Sequence, residues 1–273
     1  ELSGNTFVED TSLNKVSSTS FGSGLALQDD YIYIADNTNV HVFKKESGTW
    51  TLKSTLSYSG IGSSIRLKAY GTNLVIGGTN STYLHRVYER NGSDTLVFNS
   101  SLTALGSNGY LGNGTQSGFA IYGNYIALGD YIYNHNGVAN AGMVNLVKYS
   151  GGSWSRIEEI YQPDENASFF AFFGSSCDIY ENYLVVGANR DKNDIHSYSY
   201  NGAAYVFKLY DNIWHYIKEL SPKDYYENYL IAKKSGVQFL AYKCKIDPKQ
   251  IKIDKKIKII DEWLYWKIWK DAC

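Results

Sequence analysis

The sequence predicts an all-β protein built from repeated four-stranded antiparallel sheets, and three observations lead to this prediction. Segments of similar pattern recur along the 273-residue chain. Within each segment, apolar residues alternate with small or polar ones, which is the two-residue period of a β-strand. Gly, Asn and Asp cluster between the alternating runs, where tight hairpin turns require them.

The segments form four clear repeats and one weak repeat. They cover residues 21–56, 61–102, 117–160 and 173–220 and, weakly, residues 224–243. The first large residue after the first polar turn anchors each repeat, and these anchors are Tyr31, Leu74, Tyr125, Tyr183 and Tyr229. Successive anchors are 43, 51, 58 and 46 residues apart. This spacing is typical of one propeller blade.

The strands within a repeat follow from the alternation and the turns. In the first repeat, Leu25 and Leu27 alternate with Gly24 and Ala26. Polar turns follow the first strand at residues 28–30, 122–124 and 180–182, and follow the third strand at residues 46–48, 90–92 and 150–152. Each repeat is therefore predicted to be a four-stranded antiparallel meander.

The stacking of the repeats follows from their apolar faces. A lone sheet that is apolar on both faces is unstable in water, so the repeats must pack face to face, and radial closure also protects their edges. We therefore predict a β-propeller of about five blades, counting the weak repeat. Small residues of the inner strands are expected to leave room for neighbouring backbones, namely Gly22, Gly24, Ala26, Gly174 and Ser175.

The predicted organisation has three parts. Residues 1–20 form an N-terminal segment that closes the last blade, residues 21–243 form the propeller, and residues 244–273 form a basic, Trp-rich tail. An alternative is that further blades are missing from this chain. The tail is expected to pack on its own propeller, with docking on a neighbouring subunit or on a membrane surface as the alternative.

Short motifs of the repeats are similar to those of a known family. The motifs are Phe21-Gly22, Ile61-Gly62 and Phe173-Gly174 at the start of a repeat, Ile76-Gly77-Gly78 and Val186-Gly187-Ala188 in its second strand, and the run from Gly202 to Phe207 in its third. They resemble the FG-GAP repeats of integrin α-subunit propellers, well over residues 20–220 and poorly over residues 224–243. The resemblance implies a propeller that serves adhesion or protein interaction.

Integrin-type FG-GAP repeats carry an acidic calcium loop between the second and third strands, where alternate oxygen ligands wrap one cation. The corresponding places hold residues 36–39 and 191–194, which have few carboxylates and no following Gly. We therefore expect solvated turns there, and neither a metal nor another cofactor.

The charge balance limits the classes of partner. Lys and Arg number 26 against 27 Asp and Glu, so the chain has no overall basic field that would attract nucleic acid. The balance is uneven, because residues 221–273 carry a charge of +5 and residues 1–220 a charge of −6. No window approaches the ~18 uninterrupted apolar residues of a membrane-spanning helix. We therefore predict no nucleic-acid partner and no transmembrane segment.

The inner strands are where a propeller enzyme would gather its catalytic groups. The positions equivalent to Ala26 are Ala69, Ala120 and Asp178, so they supply one carboxylate, whereas glycoside hydrolysis needs a pair. His41 and His85 alternate within third strands and are expected to be sheet residues rather than ligands. We therefore predict no enzyme and assign no catalytic residue.

The aromatic residues divide into two groups. One group recurs at equivalent positions and is expected to pack blade against blade: Tyr31, Tyr125, Tyr183, Trp50, Trp154 and Trp214. The other group lies in loops and is expected to form a contact surface: Tyr131, Tyr133, Tyr198 and Tyr200.

Two kinds of modification are predicted. Sequons for N-linked glycans occur at Asn80, Asn91, Asn99, Asn113 and Asn166. Four of the five fall within 80–113, so glycans there would coat one flank of the propeller. Cys244 and Cys273 both lie in the tail and are the candidates for a disulfide, whereas Cys177 is expected to be a buried thiol.

Together these observations predict a secreted, extracellular or cell-surface glycoprotein that acts as a non-catalytic adhesion or structural module. Its expected partner is a protein or a glycan at the cell surface. One alternative is a homo-oligomer or polymer, a filament or sheath subunit that assembles through its C-terminal tail. Another is a propeller that binds or processes glycans.

Overall fold

The computed structural model describes residues 2–3, 6–7, 19–59, 65–78, 84–103, 118–163, 169–191 and 202–220. The chain divides into the units Glu1–Leu220 and Ser221–Cys273, and all described residues belong to the first. The predicted fifth repeat and the tail therefore lie outside the described residues. Near the N-terminus, β1 (Leu2–Ser3) pairs with β2 (Thr6–Phe7), and the closure of the last blade by residues 1–20 stays a prediction.

Four four-stranded antiparallel sheets follow, one for each clear repeat. Blade 1 contains β3 (Gly24–Gln28), β4 (Tyr31–Ala35), β5 (Asn39–Glu46) and β6 (Thr49–Ser57). Blade 2 contains β7 (Arg66–Tyr70), β8 (Asn73–Gly77), β9 (Leu84–Arg90) and β10 (Leu96–Thr103). Blade 3 contains β11 (Phe119–Tyr122), β12 (Tyr125–Asp130), β13 (Met143–Ser150) and β14 (Ser153–Tyr161). Blade 4 contains β15 (Phe173–Tyr180), β16 (Tyr183–Ala188), β17 (Ala203–Tyr210) and β18 (Ile213–Leu220).

Each strand pairs with its neighbour in sequence, so every blade is a meander. The predicted all-β class and the four predicted blades are confirmed. In the part of the chain that the structure describes, no helix has the length and hydropathy of a membrane span.

The repeat alignment was wrong by one residue in blade 2. The first residue of β8 is Asn73, which occupies the place of Tyr31 in blade 1, whereas Leu74 is one residue later and faces the other side. The physical reason is that the equivalent position in blade 2 is polar, so a large residue does not mark the start of β8. The inner-strand position equivalent to Ala26 is consequently Lys68, not Ala69.

The blades pack through two distinct faces. We call the face that carries the first, third and fifth residues of the second strand the front face, and the opposite face the back face. Tyr31 and Tyr33 on the front of blade 1 pack against Leu74 and Ile76 on the back of blade 2. Blades 2 and 3, and blades 3 and 4, meet in the same way through two further buried clusters.

The interface between blades 1 and 2 also contains a polar clamp. The hydroxyl of Tyr31 donates to the Asp94 carboxylate at 2.7 Å, and Lys44 Nζ lies 3.6 Å from the same carboxylate. Asp94 belongs to the last hairpin of blade 2, so a front-face residue of one blade is held by the last turn of the next.

Glycine lets the backbones of blades 3 and 4 approach closely. A Cβ on Gly129 in β12 would lie 2.0 Å from the carbonyl oxygen of Gly174. A Cβ on Gly24 in β3 would likewise lie 2.6 Å from the Ile65 carbonyl oxygen. The predicted role of small inner residues is thus confirmed for Gly24, whereas Gly22 has open space around it and is needed for its φ of +94°.

Every outer strand carries a β-bulge at the same place. In each blade one residue of the fourth strand has no partner in the third, and the residues passed over are Lys53, Asn99, Ile157 and Ile217. The recurrence shows that the four blades share fine backbone detail as well as strand order.

Candidate functional site

The meander separates the connections of each blade onto two rims. The tight hairpins between first and second strands and between third and fourth strands lie together at the turn rim. The other connections begin and end at the opposite end of the blades, and we call this end the connection rim. Binding residues usually lie on long connections that a rigid scaffold holds in place. The connection rim is therefore the expected location of a binding site.

The connection between β4 and β5 lies where an integrin-type repeat would carry its calcium loop. It is the first of the two places for which we predict a solvated turn. Asp36 Oδ1 accepts the backbone N–H groups of Thr38 and Asn39, each at 2.7 Å, and Asp36 Oδ2 lies 2.8 Å from His41 Nε2. An ionised carboxylate can only accept, so His41 Nε2 donates to it, and His41 Nδ1 forms a hydrogen bond with the Thr55 hydroxyl at 3.1 Å.

The environment of Asp36 differs from the solvated turn that we expected, because the residue is buried. Burial alone would raise its pKa, but the hydrogen bonds from Thr38, His41 and Asn39 outweigh it and hold the pKa of this carboxyl well below its usual range. The Asp36 carboxylate therefore accepts hydrogen bonds from N–H groups of the protein itself, at the place where an integrin-type repeat would bind its cation.

Blade 4 has a buried carboxylate at the corresponding connection. Asp191 accepts the hydroxyl of Tyr205 and, at 3.0 Å, the side-chain N–H of Gln162. Burial and the neighbouring carboxylate raise the pKa of Tyr205 above its usual value. Among the described residues, no group of three or more His, Cys, Asp and Glu side chains is arranged to hold a metal ion.

The inner strands place a charged pair at the positions where a propeller enzyme would carry its catalytic groups. Lys68 Nζ in blade 2 lies 3.9 Å from Asp178 Oδ1 in blade 4, with the short side chain of Ala120 at the equivalent position between them. The carboxylate is exposed and paired with a lysine rather than with a second carboxylate. Because the equivalent inner position of blade 2 is Lys68 rather than Ala69, Asp178 has a positively charged neighbour among the inner positions.

A hairpin insertion distinguishes blade 3 on the connection rim. Residues 131–142 join β12 to β13 and turn at Asn136-Gly137, whose φ angles of +48° and +80° fit an Asn-Gly hairpin turn. His135 N–H donates to the Val138 carbonyl at 3.1 Å, and Val138 N–H donates back at 2.8 Å.

The insertion carries the two described residues of the predicted aromatic contact surface. Tyr133 is half-buried, and its ring centroid lies 5.9 Å from that of Tyr161, on which His135 stacks at 3.8 Å. Tyr131 is buried against Phe172, because the insertion folds back over the following segment, so its predicted place in a contact surface is wrong. Tyr198 and Tyr200 lie outside the described residues.

The segment before β15 presents two adjacent phenylalanines on the connection rim. Phe169 is 54% exposed and Phe170 is 42% exposed. Phe170 and Phe172 have φ angles of +60° and +59°, a region that costs a bulky side chain of order 1–3 kcal/mol. The sequence gives no sign of this feature, because an apolar run such as Phe169–Phe173 does not indicate the backbone conformation.

The insertion and blade 4 hold this segment in place. Phe170 N–H donates to the Ala139 carbonyl at 2.8 Å, and Phe172 N–H donates to the Asn140 carbonyl at 3.1 Å. The Arg190 guanidinium lies 4.8 Å from the centre of the Phe172 ring. The strained backbone is therefore fixed from both sides, with two aromatic rings left facing solvent.

Four of the six aromatic residues expected between blades are found there, namely Tyr31, Tyr125, Trp154 and Trp214. Trp50 is half-buried on the back face of blade 1, which no described blade covers. Tyr183 is exposed on the front face of blade 4. His41 and His85 are both buried sheet residues, as predicted.

Two of the five predicted sequons lie in the described residues. Asn91 is exposed in the last hairpin of blade 2, where its side-chain oxygen accepts the N–H groups of Ser93 and Thr95, each at 3.0 Å. Asn99 is the bulge residue of β10 and is half-buried. Both lie in blade 2, and Asn80, Asn113 and Asn166 lie outside the described residues.

The cysteines are only partly covered by the structure. Cys177 is half-buried rather than fully buried, and its thiol lies 3.8 Å from the Ala127 carbonyl oxygen. Burial of the sulfur raises the pKa of the thiol to about 12, which disfavours the reactive thiolate. Cys244 and Cys273 lie outside the described residues, and their disulfide stays a prediction.

Comparison with known proteins gives one family-model match over part of the chain and three partial similarities. Residues 154–207, from the last strand of blade 3 through the third strand of blade 4, match the family model described as FG-GAP repeat. The recognition of FG-GAP repeats is thereby confirmed for these residues, and such repeats indicate a β-propeller protein-interaction module.

One curated protein shares a short and very similar stretch. Over 39 residues, 14% of this chain, the sequence is 77% identical to a "Sugar fermentation stimulation protein homolog" of Pelagibacter ubique (strain HTCC1062). That stretch spans 17% of the length of the Pelagibacter protein.

Two solved structures are more distantly similar. A Saccharomyces cerevisiae structure of dbp5 bound to nup159 and gle1 shares 12% identity at a TM-score of 0.42, covering 72% of this chain and 46% of that one. A protein from Lactobacillus plantarum shares 15% identity at a TM-score of 0.39, covering 70% of this chain and 54% of that one.

Proposed function

We propose that this protein is a non-catalytic adhesion or interaction module, and that it binds a protein partner through the connection rim of blades 3 and 4. The observation that carries the proposal is the pair of exposed rings, Phe169 and Phe170, on a strained and fixed backbone. Strain of this kind persists where the surrounding structure imposes it, and it concentrates at functional sites.

Physical reasons favour these rings as binding anchors. Large aromatic side chains dominate the energy of protein interfaces, and a fixed backbone avoids the entropy cost of ordering a loop on binding. Tyr133 and His135 lie on the insertion that holds the phenylalanine segment, and their rings contact the ring of Tyr161 at the end of β14. These half-buried side chains offer polar groups on the same rim as the apolar rings.

The proposal leaves the inner strands without a catalytic role. Ala26, Lys68, Ala120 and Asp178 occupy the equivalent inner positions, and the one carboxylate among them is paired with a lysine. A pair of carboxyl groups for glycoside chemistry is not supplied by these four positions.

Photo-crosslinking tests the binding surface. A photoreactive phenylalanine analogue at position 170 is expected to form a covalent adduct with a partner in native material. The same analogue at Tyr210, an exposed aromatic position on the turn rim, is expected to form none. The double substitution of Phe169 and Phe170 by serine should then weaken binding of the captured partner at least about tenfold, with an unchanged unfolding midpoint. Equal labelling from both positions would refute the assignment.

We further propose that the module is extracellular and carries N-linked glycans, with Asn91 as the favoured site among the described residues. The side chain lies on an exposed hairpin, where a glycan is tolerated. In a secretory host that N-glycosylates proteins, Ser93→Ala is expected to remove one glycan, because it destroys the sequon and leaves Asn91 in place. Glycosidase treatment followed by electrophoresis measures this, with Ser101→Ala at the Asn99 sequon for comparison. Equal mobility of Ser93→Ala and wild type before treatment contradicts the site.

The alternatives that rest on the tail stay predictions, because residues 244–273 lie outside the described residues. Light scattering of the chain with and without these residues separates tail-mediated assembly from a monomer.

A further inference from the structure

A buried histidine in blade 1 links a buried carboxylate to an exposed hydroxyl. His41 has Nε2 at 2.8 Å from Asp36 Oδ2 and Nδ1 at 3.1 Å from the Thr55 hydroxyl oxygen. Thr55 lies directly opposite His41 on β6 and is exposed, whereas His41 and Asp36 are buried. We call these three residues the triad of blade 1. A hydroxyl next to a base that a third group orients is the arrangement that activates an oxygen nucleophile.

The Asp36 carboxylate determines which ring nitrogen carries the proton when His41 is neutral. Asp36 Oδ1 accepts the backbone N–H groups of Thr38 and Asn39, and Asp36 Oδ2 accepts from His41 Nε2. In a neutral ring, a proton on Nε2 leaves Nδ1 as a hydrogen-bond acceptor. Nδ1 is directed at Thr55, so the neutral ring can take up the hydroxyl proton.

Phe21 and Tyr58 also contact the triad, and both are uncharged at neutral pH. The Phe21 ring centroid lies 5.6 Å from that of His41. The Tyr58 hydroxyl donates to the Asp36 carbonyl at 2.5 Å, and burial, with the Asp36 charge nearby, raises the pKa of Tyr58 to about 12. Asp36 is therefore the charged group bonded to His41, and protonation of His41 on Nδ1 is the titration that removes the base from Thr55.

The triad is not a requirement of the blade architecture. The cross-strand pairs at the position of His41 and Thr55 in the other blades are Arg86 and Ser101, Asn145 and Glu159, and Tyr205 and Glu219. Three blades therefore form the same strands without an imidazole that faces a hydroxyl. Among the four described blades, blade 1 combines a buried imidazole with an exposed threonine.

We propose that Thr55 is an acyl-acceptor site, which takes an acyl group from an activated ester. Thr55 Oγ1 attacks the ester carbonyl carbon, so a bond forms between Oγ1 and this carbon, and the bond from the carbon to the leaving oxygen breaks. The hydroxyl proton passes to His41 Nδ1 and then to the leaving oxygen, so the products are a threonine ester and an alcohol. Asp36 is a positioning residue, because it acts through His41. The site lies in blade 1 and does not depend on the binding surface around Phe170.

The contacts of the triad favour an ester with a good leaving group over an amide. Cleavage of an amide needs N–H donors that stabilise the oxyanion of the tetrahedral intermediate. The nearby backbone N–H groups of Thr38 and Asn39 are bonded to Asp36 instead. The triad supplies a base for the nucleophile, and the leaving group must supply the rest of the driving force.

Labelling of the full chain with p-nitrophenyl acetate tests the site. At about pH 8, where an ordinary histidine is neutral, Thr55 is expected to gain an acetyl group at least about tenfold faster than Thr51. Thr51 is the matched control within the same molecule, since it is an exposed threonine of β6 that pairs with Lys44. Peptide mapping by mass spectrometry measures both residues in one sample. Equal labelling of the two threonines overturns the proposal.

Substitutions separate an activated hydroxyl from one that is merely accessible. Thr55→Val is expected to abolish the adduct and Thr55→Ser to keep it. His41→Gln is expected to slow labelling of Thr55 about a hundredfold and to leave Thr51 unchanged. A His41→Gln protein with a wild-type unfolding midpoint that labels Thr55 at the wild-type rate overturns the proposal.

The pH profile of the wild-type chain keeps the test valid even where a variant fails to fold. The labelling ratio of Thr55 to Thr51 is expected to fall on acidification, because a protonated ring cannot accept the hydroxyl proton. Asp36→Asn is expected to move this fall to lower pH, because it removes the charge that stabilises the protonated ring. A ratio that stays constant between about pH 8 and pH 5 overturns the proposal.

Discussion

Substitution of Gly129 by alanine is expected to destabilise the protein by about 3 kcal/mol or more, because overpacking between two backbones has no flexible group to give way. The new Cβ would lie 2.0 Å from the Gly174 carbonyl oxygen and 3.0 Å from that of Gly118. Gly129 also donates its N–H to the Gly118 carbonyl at 2.8 Å, so moving the strand away would break this bond.

Urea unfolding measured by tryptophan fluorescence gives the size of the effect. The matched control is Gly92→Ala, at a glycine with open space around its Cβ position and no requirement for positive φ. That variant is expected to unfold within about 0.5 kcal/mol of wild type. A Gly129→Ala variant as stable as this control would show that β12 and the start of blade 4 do not approach as described.

Acidification from pH 7 to pH 5 is expected to cost roughly 2 kcal/mol of stability through His85 alone. Burial, with Arg66 nearby, lowers the pKa of His85 from 6.5 to about 4 in the folded protein. Above pH 6.5 the ring is neutral in both states. Between the two pKa values only the unfolded chain takes up the proton, so stability falls as pH falls, and the full loss is reached below pH 4.

The local structure explains why the protonated ring is not tolerated. The His85 ring packs edge-on against Phe119 with centroids 4.8 Å apart, and Nδ1 has no hydrogen-bond partner. The measurement is the free energy of unfolding at several pH values for wild type and His85→Leu. The variant is expected to lose the dependence between pH 7 and pH 5, since carboxylates with ordinary pKa values titrate below this range. Parallel curves for the two proteins would contradict the assignment.

Much of the fold could be predicted because the same pattern of strands and turns occurs in four repeats. Strand alternation and hairpin residues located all four meanders, and His41 lies in a third strand as predicted. The register of blade 2 could not be found by the same means, because Asn73 is polar where the other blades have tyrosine. A rule based on turn length rather than residue size would have placed it correctly.

The candidate site was harder to predict than the blades. The Asn136-Gly137 pair did signal a hairpin turn in the insertion. Nothing in the residue type signals the positive φ of Phe170, because phenylalanine disfavours that region and only contacts with the insertion enforce it. The opposite failure occurs at Tyr183. Its place in the repeat predicts a core residue, but the side chain is exposed because no described blade covers it.

The β-bulges of the four outer strands determine how the protein can behave at high concentration. An outer strand of eight or nine residues exposes a row of backbone N–H and C=O groups that would otherwise recruit a strand from another molecule. A bulge in the middle of each strand breaks this row and increases its twist, so no straight strand can pair along its whole length. The bulges thereby protect the outer strands against amyloid-like growth. The molecule can therefore expose Phe169 and Phe170 to solvent without aggregating through its strand edges.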